Sequence, residues 1–263
     1  MAKMTMLYDS SKCVGCRACQ VACKQWNDLP AERTSNWGSY ENPSALSPNT
    51  ISKIKYIEVG TPDAPKMLFL DQGCMHCTEA ACVEVCPTGA LSHHSSGAVV
   101  FDRVKCNGCS YCSQFCPFSI PQIEGNIITG AGKSSKCTLC NDRVTNGLVP
   151  ACVKTCPAGA LSFGPRPEIV ARGRQRVHRL ASNGHPDASL YGDTTLGGLQ
   201  RMSILTERPE VYGLPSNPQT PILAGFWQNV VQPLSEASFG LGILGTAVAF
   251  VIARRNIRMQ EVD

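Results

Sequence analysis

Residues 13–23 read Cys-Val-Gly-Cys-Arg-Ala-Cys-Gln-Val-Ala-Cys, and similar groups of four cysteines occur three more times in the chain. Together the groups use all 16 cysteines. They are Cys13, Cys16, Cys19 and Cys23; Cys74, Cys77, Cys82 and Cys86; Cys106, Cys109, Cys112 and Cys116; and Cys137, Cys140, Cys152 and Cys156. Each group opens with a Cys-x-x-Cys pair, and a proline directly follows three of them. This layout is typical of the thiolate ligands of bacterial ferredoxins, so we predict that all of these cysteines hold four 4Fe–4S clusters.

Three other uses of the cysteines fit this spacing less well. A disulfide framework occurs in short chains with a higher cysteine density, and close neighbours in sequence give poor bridge geometry. Zinc needs only two Cys-x-x-Cys pairs for a site, so the third close cysteine of the first and third groups would be surplus. Attachment of a c-type haem needs a histidine directly after the second cysteine, where Cys77 is followed by Thr78. We therefore expect His76 to lie near a cluster or at the surface without being a ligand.

Composition limits the classes of function. The chain has 263 residues and a formal net charge of +4, which is too mild to predict nucleic-acid binding. The sequence has no phosphate loop, no Gly-x-Ser-x-Gly elbow, and no Gly-x-Gly-x-x-Gly motif after a strand. We therefore predict no catalytic residues and interpret the chain as an electron-transfer protein. The N-terminal segment shows no secretory or twin-arginine pattern, so no export signal of its own is expected.

An internal repeat relates the four cysteine groups. Residues 81–92 (Ala-Cys-Val-Glu-Val-Cys-Pro-Thr-Gly-Ala-Leu-Ser) recur in residues 151–162 (Ala-Cys-Val-Lys-Thr-Cys-Pro-Ala-Gly-Ala-Leu-Ser), and Lys-Cys-x-Gly-Cys occurs at residues 12–16 and 105–109. The first and third groups are thus of one type and the second and fourth of another, which indicates duplication of a supersecondary unit. We predict an α+β fold with two ferredoxin-like modules, each holding two clusters. The repeat alone does not decide which groups pair.

The chain divides into four predicted parts. They are a four-cluster head (residues 1–165), an arginine-rich helix followed by an extended strap (166–231), a transmembrane helix (232–256) and a tail (257–263). An insert at residues 24–73 is expected to cap the clusters or to dock a partner. The arginine-rich helix is predicted over residues 167–180, beginning at a proline, and the strap is predicted to be unpacked because it is rich in Gly, Pro and Asn. Within the head we expect hairpins at residues 51–70 and 90–101 and a strand at residues 160–163.

The transmembrane prediction depends on an uncharged run near the C-terminus. Residues 237–253 cover ~25 Å at 1.5 Å per residue, and a start at Pro233 extends this to the ~30 Å of a bilayer. Three glycines would allow close packing on another membrane helix, namely Gly240, Gly242 and Gly245. Phe226 and Trp227 would lie near the membrane interface.

Arginines after this run predict its orientation. They are Arg254, Arg255 and Arg258. Because positive residues tend to remain in the cytoplasm, we expect a single-pass protein of the cell membrane with a cytoplasmic C-terminus and the iron–sulfur head outside. Without its own signal, the head would cross attached to a signal-bearing partner.

The chain resembles the iron–sulfur (beta) subunits of membrane-bound formate dehydrogenases, within the molybdopterin-oxidoreductase superfamily. The cysteine pattern is that of the superfamily. The narrower resemblance comes from Trp-Asn-Asp at residues 26–28, Tyr-Glu-Asn-Pro at 40–43 and Tyr-Gly-Leu-Pro-Ser-Asn-Pro at 212–218, followed by Phe226, Trp227 and one terminal helix.

The resemblance implies that the first cysteine group shares clusters with the fourth, and the second with the third. The implied ligand sets are Cys13, Cys16, Cys19 and Cys156; Cys23, Cys137, Cys140 and Cys152; Cys74, Cys77, Cys82 and Cys116; and Cys86, Cys106, Cys109 and Cys112. In nitrate-reductase relatives a tryptophan replaces one ligand and leaves a 3Fe cluster. Here every implied position is cysteine, so four cubanes are expected.

The resemblance also implies the partners. A catalytic subunit with a molybdenum or tungsten pterin would oxidise formate, and this chain would pass single electrons to a membrane cytochrome b that reduces quinone in anaerobic respiration. Two alternatives remain: the same conduit serving another molybdopterin oxidoreductase or a hydrogenase, and a free-standing membrane-tethered polyferredoxin. Cations close to the cysteines would raise cluster potentials, although most of them are expected to be surface charge. They are Lys12, Arg17, Lys24, Arg103, Lys105, Lys136 and Arg143.

Overall fold

The structure of the chain is a computed structural model that describes residues 2–36, 38–125, 132–221, 226 and 230–260. It contains two compact units, Met1–Pro221 and Ile222–Asp263. The first unit combines strands with short helices, and the second contains one long helix. This mixed content confirms the predicted α+β class.

A four-stranded sheet lies in the first unit, with the strand order β8-β1-β10-β9. Its strands are β1 (Met4–Asp9), β8 (Leu161–Pro165), β9 (Ser189–Tyr191) and β10 (Arg201–Leu205). β1 is paired on both sides: parallel with β10, where Met6 lies opposite Arg201, and antiparallel with β8, where Met6 lies opposite Phe163. The sheet therefore joins the first strand of the chain to two segments distant in sequence.

Three antiparallel hairpins complete the strands described in this unit. They are β2 (Ser52–Thr61) with β3 (Ala64–Gly73), β4 (Leu91–His93) with β5 (Val99–Phe101), and β6 (Gln122–Glu124) with β7 (Lys133–Ser135). The first two confirm the hairpins predicted at residues 51–70 and 90–101, and β8 confirms the strand predicted at residues 160–163. The third hairpin was not predicted.

The helices of the first unit are mostly short. They are α1 (Ala18–Trp26), α2 (Ala81–Glu84), α3 (Tyr111–Gln114), α4 (Asn141–Thr145), α5 (Ala151–Thr155) and α6 (Arg166–Ser182). α1 packs against α5, and α2 packs against α3. Arg17 before α1 and Ser110 before α3 have left-handed backbone angles (φ 61° and 67°), so each cysteine loop turns abruptly into its helix.

The prediction of an unpacked strap is wrong for residues 201–205. β10 is buried along its whole length, and Met202 and Leu205 are 0% exposed. The arginine-rich helix is confirmed as α6, and it packs Ile169 (0% exposed) into the same core. Because β10 and α6 pack with the strands of the head, the compact unit continues past the predicted boundary at residue 165 to Pro221.

The second unit contains α7 (Gln232–Gln260). Its part Gln232–Arg255 is long and apolar enough to cross a membrane, judged by length and composition. Phe239 and Leu241 are 72% and 70% exposed, and the glycines at 240, 242 and 245 have open space where a Cβ would lie. A surface this apolar calls for a lipid or protein environment. Trp227 and the tail residues 261–263 lie outside the described residues.

Candidate metal centre

All 16 cysteines are free, and the structure gathers them into four sets, which we call sites 1 to 4. Site 1 comprises Cys13, Cys16, Cys19 and Cys156; site 2 comprises Cys23, Cys137, Cys140 and Cys152; site 3 comprises Cys74, Cys77, Cys82 and Cys116; site 4 comprises Cys86, Cys106, Cys109 and Cys112. These are the sets that the family resemblance implies. No disulfide joins any of these cysteines in the structure.

Sites 1, 2 and 4 each line one cavity. The empty space, including its open mouth, is about 330 Å³ at site 1, 380 Å³ at site 2 and 310 Å³ at site 4. Within the described ranges, no three His, Cys, Asp or Glu side chains converge on a single metal ion. Four thiols that line one cavity without converging on a single ion suit an iron–sulfur cluster better than zinc.

Site 3 is recognised from the interactions of its thiols. Burial raises the pKa of Cys77 most, and the thiols of Cys74, Cys116 and Cys82 raise it further. Burial likewise raises the pKa of Cys116, with an added effect of Cys74. The four sulfur atoms are therefore close together although two sequence groups supply them.

Paired helices explain how each module forms two sites. Cys19 and Cys23 are one turn apart on α1, about 6 Å along its axis, and they belong to sites 1 and 2. Cys152 on α5 and Cys156 at its end have the same spacing. Here the first cysteine belongs to site 2 and the second to site 1. Because α1 packs against α5, one end of the pair serves each site. α2 and α3 repeat this arrangement for sites 3 and 4.

The four sites follow one another in numerical order. After burial, the thiol of Cys152 in site 2 raises the pKa of Cys19 in site 1. Burial raises the pKa of Cys137 in site 2 to about 11, although Arg201 lowers it. The thiol of Cys74 in site 3 contributes to this rise. Cys112 of site 4 raises that of Cys82 in site 3. Each site therefore lies beside the next.

The environment of the buried thiols disfavours free thiolates, so these thiols lose their protons when they bind a metal. Burial raises the pKa of Cys19 and of Cys152, so these thiols are neutral at pH 7 until a metal displaces their protons. Backbone amides then stabilise the sulfur charge: Leu139 N–H points to Cys137 Sγ (3.3 Å) and Ser134 N–H to Cys106 Sγ (3.4 Å). The thiol-only donor set and these amides fit a 4Fe–4S cluster.

The predictions for the nearby polar residues hold in part. His76 is completely buried beside site 3, and its Nδ1 accepts a hydrogen bond from Val99 N–H (3.0 Å), so it is not a surface group. Burial lowers its pKa well below the usual value, and the imidazole is neutral. Of the predicted cations, Lys136 and Arg143 are buried. Lys12, Arg103 and Lys105 are exposed, as expected.

The insert covers the loop of site 1. Tyr56 on β2 donates a hydrogen bond to the carbonyl of Gly15, and Arg17 Nε donates to Tyr56 Oη (3.0 Å). Tyr8 Oη donates to the carbonyl of Phe69 on β3 (2.7 Å). These contacts agree with the predicted capping role, and docking of a partner by the insert stays a prediction. Trp37 lies outside the described residues.

Two charged residues beside the cysteines were missed by the sequence analysis. Asp71 lines the cavity of site 1 and Arg201 lines that of site 2, and they form an ion pair at 2.5 Å. Arg201 is far in sequence from every cysteine, whereas Asp71 lies only three residues before Cys74. The available signal was a single charge inside an apolar strand pattern, Leu-Phe-Leu-Asp at residues 68–71 and Arg-Met-Ser-Ile-Leu at 201–205.

Known families match both parts of this arrangement. A family model described as a 4Fe-4S binding domain matches residues 4–25, and one described as a 4Fe-4S dicluster domain matches residues 65–166. The "Formate dehydrogenase iron-sulfur subunit" of Haemophilus influenzae is 40% identical over 99% of this chain and 84% of its own length.

Two Escherichia coli relatives differ in how much of this chain they match. The "Formate dehydrogenase-O iron-sulfur subunit" of strain K12 is 39% identical over 90% of this chain and 79% of its own length. The "Hydrogenase-2 operon protein HybA" of strain O157:H7 is 37% identical over 65% of this chain and 55% of its own length. With ferredoxin-type domains at both cysteine-rich regions and this identity over nearly its whole length, the chain belongs to the family of formate dehydrogenase iron–sulfur subunits, which are electron-transfer proteins with 4Fe–4S clusters.

Proposed function

We propose that this chain conducts electrons from a molybdenum- or tungsten-pterin subunit that oxidises formate to a membrane cytochrome b that reduces quinone. The observation that carries the proposal is the succession of four adjoining four-cysteine sites. When bound, a 4Fe–4S cluster takes up and releases one electron at a time. The four sites would thus hold four clusters, two in each module.

In this proposal the chain's own residues hold the clusters, stabilise the charge on sulfur and leave both ends of the series accessible. The cysteines hold the clusters, and the amides of Leu139 and Ser134 stabilise the charge on sulfur. Cys16 in site 1 is exposed, and Cys106 and Cys109 in site 4 are partly exposed, so both ends of the series reach the surface. A donor at one end and an acceptor at the other can therefore approach without entering the interior.

Metal analysis tests the cluster count. We expect about 16 iron and 16 sulfide ions per chain, four of each for every site. Zinc in their place, or half of that iron, would contradict four cubanes.

Single-cysteine variants test the sharing of groups. If α1 serves two sites, Cys23→Ala should remove the same electron paramagnetic resonance signal as Cys137→Ala, whereas Cys19→Ala should remove the signal lost in Cys13→Ala. Loss of one common signal from both Cys19→Ala and Cys23→Ala would contradict the proposed ligand sets.

Copurification tests the catalytic partner. We expect mild detergent to extract a complex whose pterin subunit oxidises formate. Hydrogen oxidation would support the second candidate, in which the chain conducts electrons for a hydrogenase. The similarity to HybA favours this candidate. A monomer with neither activity would support a free-standing polyferredoxin.

Protease protection tests the membrane orientation. With α7 spanning the cell membrane and its arginines in the cytoplasm, protease added to spheroplasts should digest the head, and protease added to inverted vesicles should not. The reverse pattern would place the head in the cytoplasm.

A further inference from the structure

A buried ion pair joins β3 to β10 between sites 1 and 2. Asp71 Oδ2 lies 2.5 Å from Arg201 Nη2, and only 1% and 3% of their side chains are exposed. Ser52 Oγ accepts a hydrogen bond from Arg201 Nη2 (3.0 Å) and donates one to Asp71 Oδ1 (3.3 Å). A buried pair of this kind seldom stabilises a fold more than apolar residues of similar size would. Its presence therefore suggests a role other than stability.

The pair is oriented along the line of sites. Asp71 lines the cavity of site 1, and Arg201 lines that of site 2. For Cys13, Cys23 and Cys137, burial is the largest cause of a raised pKa. Asp71 additionally raises that of Cys13 in site 1, and Arg201 opposes the rise for Cys23 and Cys137 in site 2. Cys19 and Cys152, which adjoin across the boundary between the sites, are affected by both charges.

The charges are held in fixed positions. A Cβ on Gly73 would lie 2.0 Å from Arg201 Nη1, so the guanidinium occupies space that any other residue there would fill. The backbone of Arg201 is fixed as well, because its N–H bonds to the carbonyl of Met75 (3.1 Å) and β10 pairs with β1. Arg201 is therefore fixed by its strand, and Asp71 is held by the ion pair and by the hydrogen bond from Ser52.

We propose that the Asp71–Arg201 pair creates a step in reduction potential between sites 1 and 2. The carboxylate disfavours an added electron at site 1, and the guanidinium favours one at site 2. The electron lost at site 1 is the one gained at site 2, and no proton or other reactant takes part. The inference rests on the proposed ligation of one 4Fe–4S cluster by each site, and both residues act through the cluster environment as positioning residues.

Potentiometric titration followed by electron paramagnetic resonance tests the step in the purified complex. In Asp71→Asn, site 1 should be easier to reduce, with an about tenfold higher ratio of reduced to oxidised cluster at a fixed potential, or ~59 mV for one electron. In Arg201→Gln, site 2 should be harder to reduce by a similar factor. Arg201→Lys, which keeps the charge, should retain most of the step.

Two controls separate electrostatics from structural damage. The double variant D71N/R201Q leaves no unpaired buried charge, so it should assemble where a single variant does not, and its two potentials should lie closer together than in the wild type. Glu41→Gln disrupts another buried ion pair, with Lys53 on β2, and neither residue lines the cavity of site 1 or 2. This variant should leave both potentials unchanged.

Iron content distinguishes the two ways of failing. Signals are assigned with Cys16→Ser for site 1 and Cys140→Ser for site 2. Full iron with an unchanged gap in the double variant overturns the step, and so does a shift in Glu41→Gln equal to that in Asp71→Asn. A wild-type protein that lacks iron at site 1 or 2 would instead overturn the proposed ligation.

Discussion

The two modules of the head hold equal numbers of cysteines in very different surroundings. Sites 1 and 2 adjoin the four-stranded sheet and the main core, in which Leu199, Met202 and Leu205 are 0% exposed. Site 3 touches this core as well, through Met75, Cys77 and Phe118, and Cys77 bridges to Leu199. The separate core cluster beside sites 3 and 4 has few buried members, and several of its partly buried neighbours are cysteines. Its buried residues are Ala80, Leu91, Val99 and Cys112, and its partly buried neighbours are Cys77, Cys82, Val83, Cys86, Phe101 and Ile123.

This difference shows that similar cluster motifs can depend on their cofactor to different degrees. Isolated two-stranded hairpins are marginally stable, and the described strands around sites 3 and 4 are β4–β5 and β6–β7. When a preformed site is absent from the unfolded chain, metal binding contributes directly to folding. The second module should therefore need its clusters to fold, whereas the first has a core of aliphatic residues besides them.

Removal of iron should produce the largest difference between the modules. In chelator-treated protein we expect amide protection to be lost almost completely over α2, α3 and the hairpins β4–β5 and β6–β7. Protection should persist in β1 and β10. Hydrogen exchange with mass spectrometry of the full chain measures both regions, and the iron-loaded protein is the control. Equal loss in the two regions would show that the sheet does not stabilise the first module.

A core truncation should have the next largest effect, and its size should depend on the module. Leu199→Ala should cost about 2–5 kcal/mol because the side chain is fully buried in the main core. The effect should appear in the opening free energy of β10 amides with and without iron. Leu91→Ala should be measurable only in the iron-loaded protein, since its small cluster would already be open without iron. Val104→Ala, at a 90% exposed position, should change stability by less than about 0.5 kcal/mol.

The sequence predicted best those features whose causes are local. Cysteine spacing indicated the type of cofactor, and the turn residues between strands predicted β2–β3 and β4–β5. The repeat showed two types of cysteine group. It did not show which groups share a site, because the contact between α1 and α5 is a tertiary contact. The family resemblance supplied the sets that the structure brings together.

Long-range pairing explains what the sequence analysis missed. β10 begins with an arginine and follows a glycine-rich segment, so its apolar residues alone do not show that the arginine is buried with them. Burial of Arg201 becomes acceptable only because Asp71 lies beside it in the folded chain. His76 was assigned to the surroundings of a cluster or the surface. In the structure it is fully buried, its Nδ1 accepts a hydrogen bond from Val99 N–H, and its Nε2 has no hydrogen-bond partner among the described residues.

Equivalent glycines of the repeat provide a finer comparison. Gly15 and Gly108 both have left-handed backbone angles (φ +66° and +76°). A Cβ at Gly15 would meet the Phe69 ring at 2.5 Å, and one at Gly108 would meet the backbone carbonyl oxygen of Gly132 at 2.2 Å. A ring can turn aside and a carbonyl cannot, so Gly108→Ala should lose iron from site 4 more readily than Gly15→Ala does from site 1.

Two further glycines give the cost of the backbone angle alone. Gly89 and Gly159 have φ +62° and +59° and nothing within 4 Å of an added Cβ. Each alanine variant should cost about 1–3 kcal/mol of strain. Iron retention during chelator challenge measures all four variants. Equal iron loss from Gly108→Ala and Gly89→Ala would show that the contact with Gly132 is unimportant.

The smallest effect concerns the insert, which only the first module has. Burial raises the pKa of Glu32, but hydroxyl donors from Ser47 and Thr50 and the ammonium of Lys24 at 3.6 Å lower it more, so the net shift is downward. A lowered folded-state pKa stabilises the fold above the unfolded value of ~4.3, and this contribution disappears as pH falls through the folded value. Glu32→Gln should therefore lower the protection of residues 38–51 at pH 7 by under about 1 kcal/mol, with the difference vanishing in acid.

Glu124→Gln is the matched change in the other module, where the pair with Arg103 is exposed, and it should have no measurable effect. A loss in Glu32→Gln that stayed constant into acid would show that the hydroxyl bonds act without the carboxylate charge.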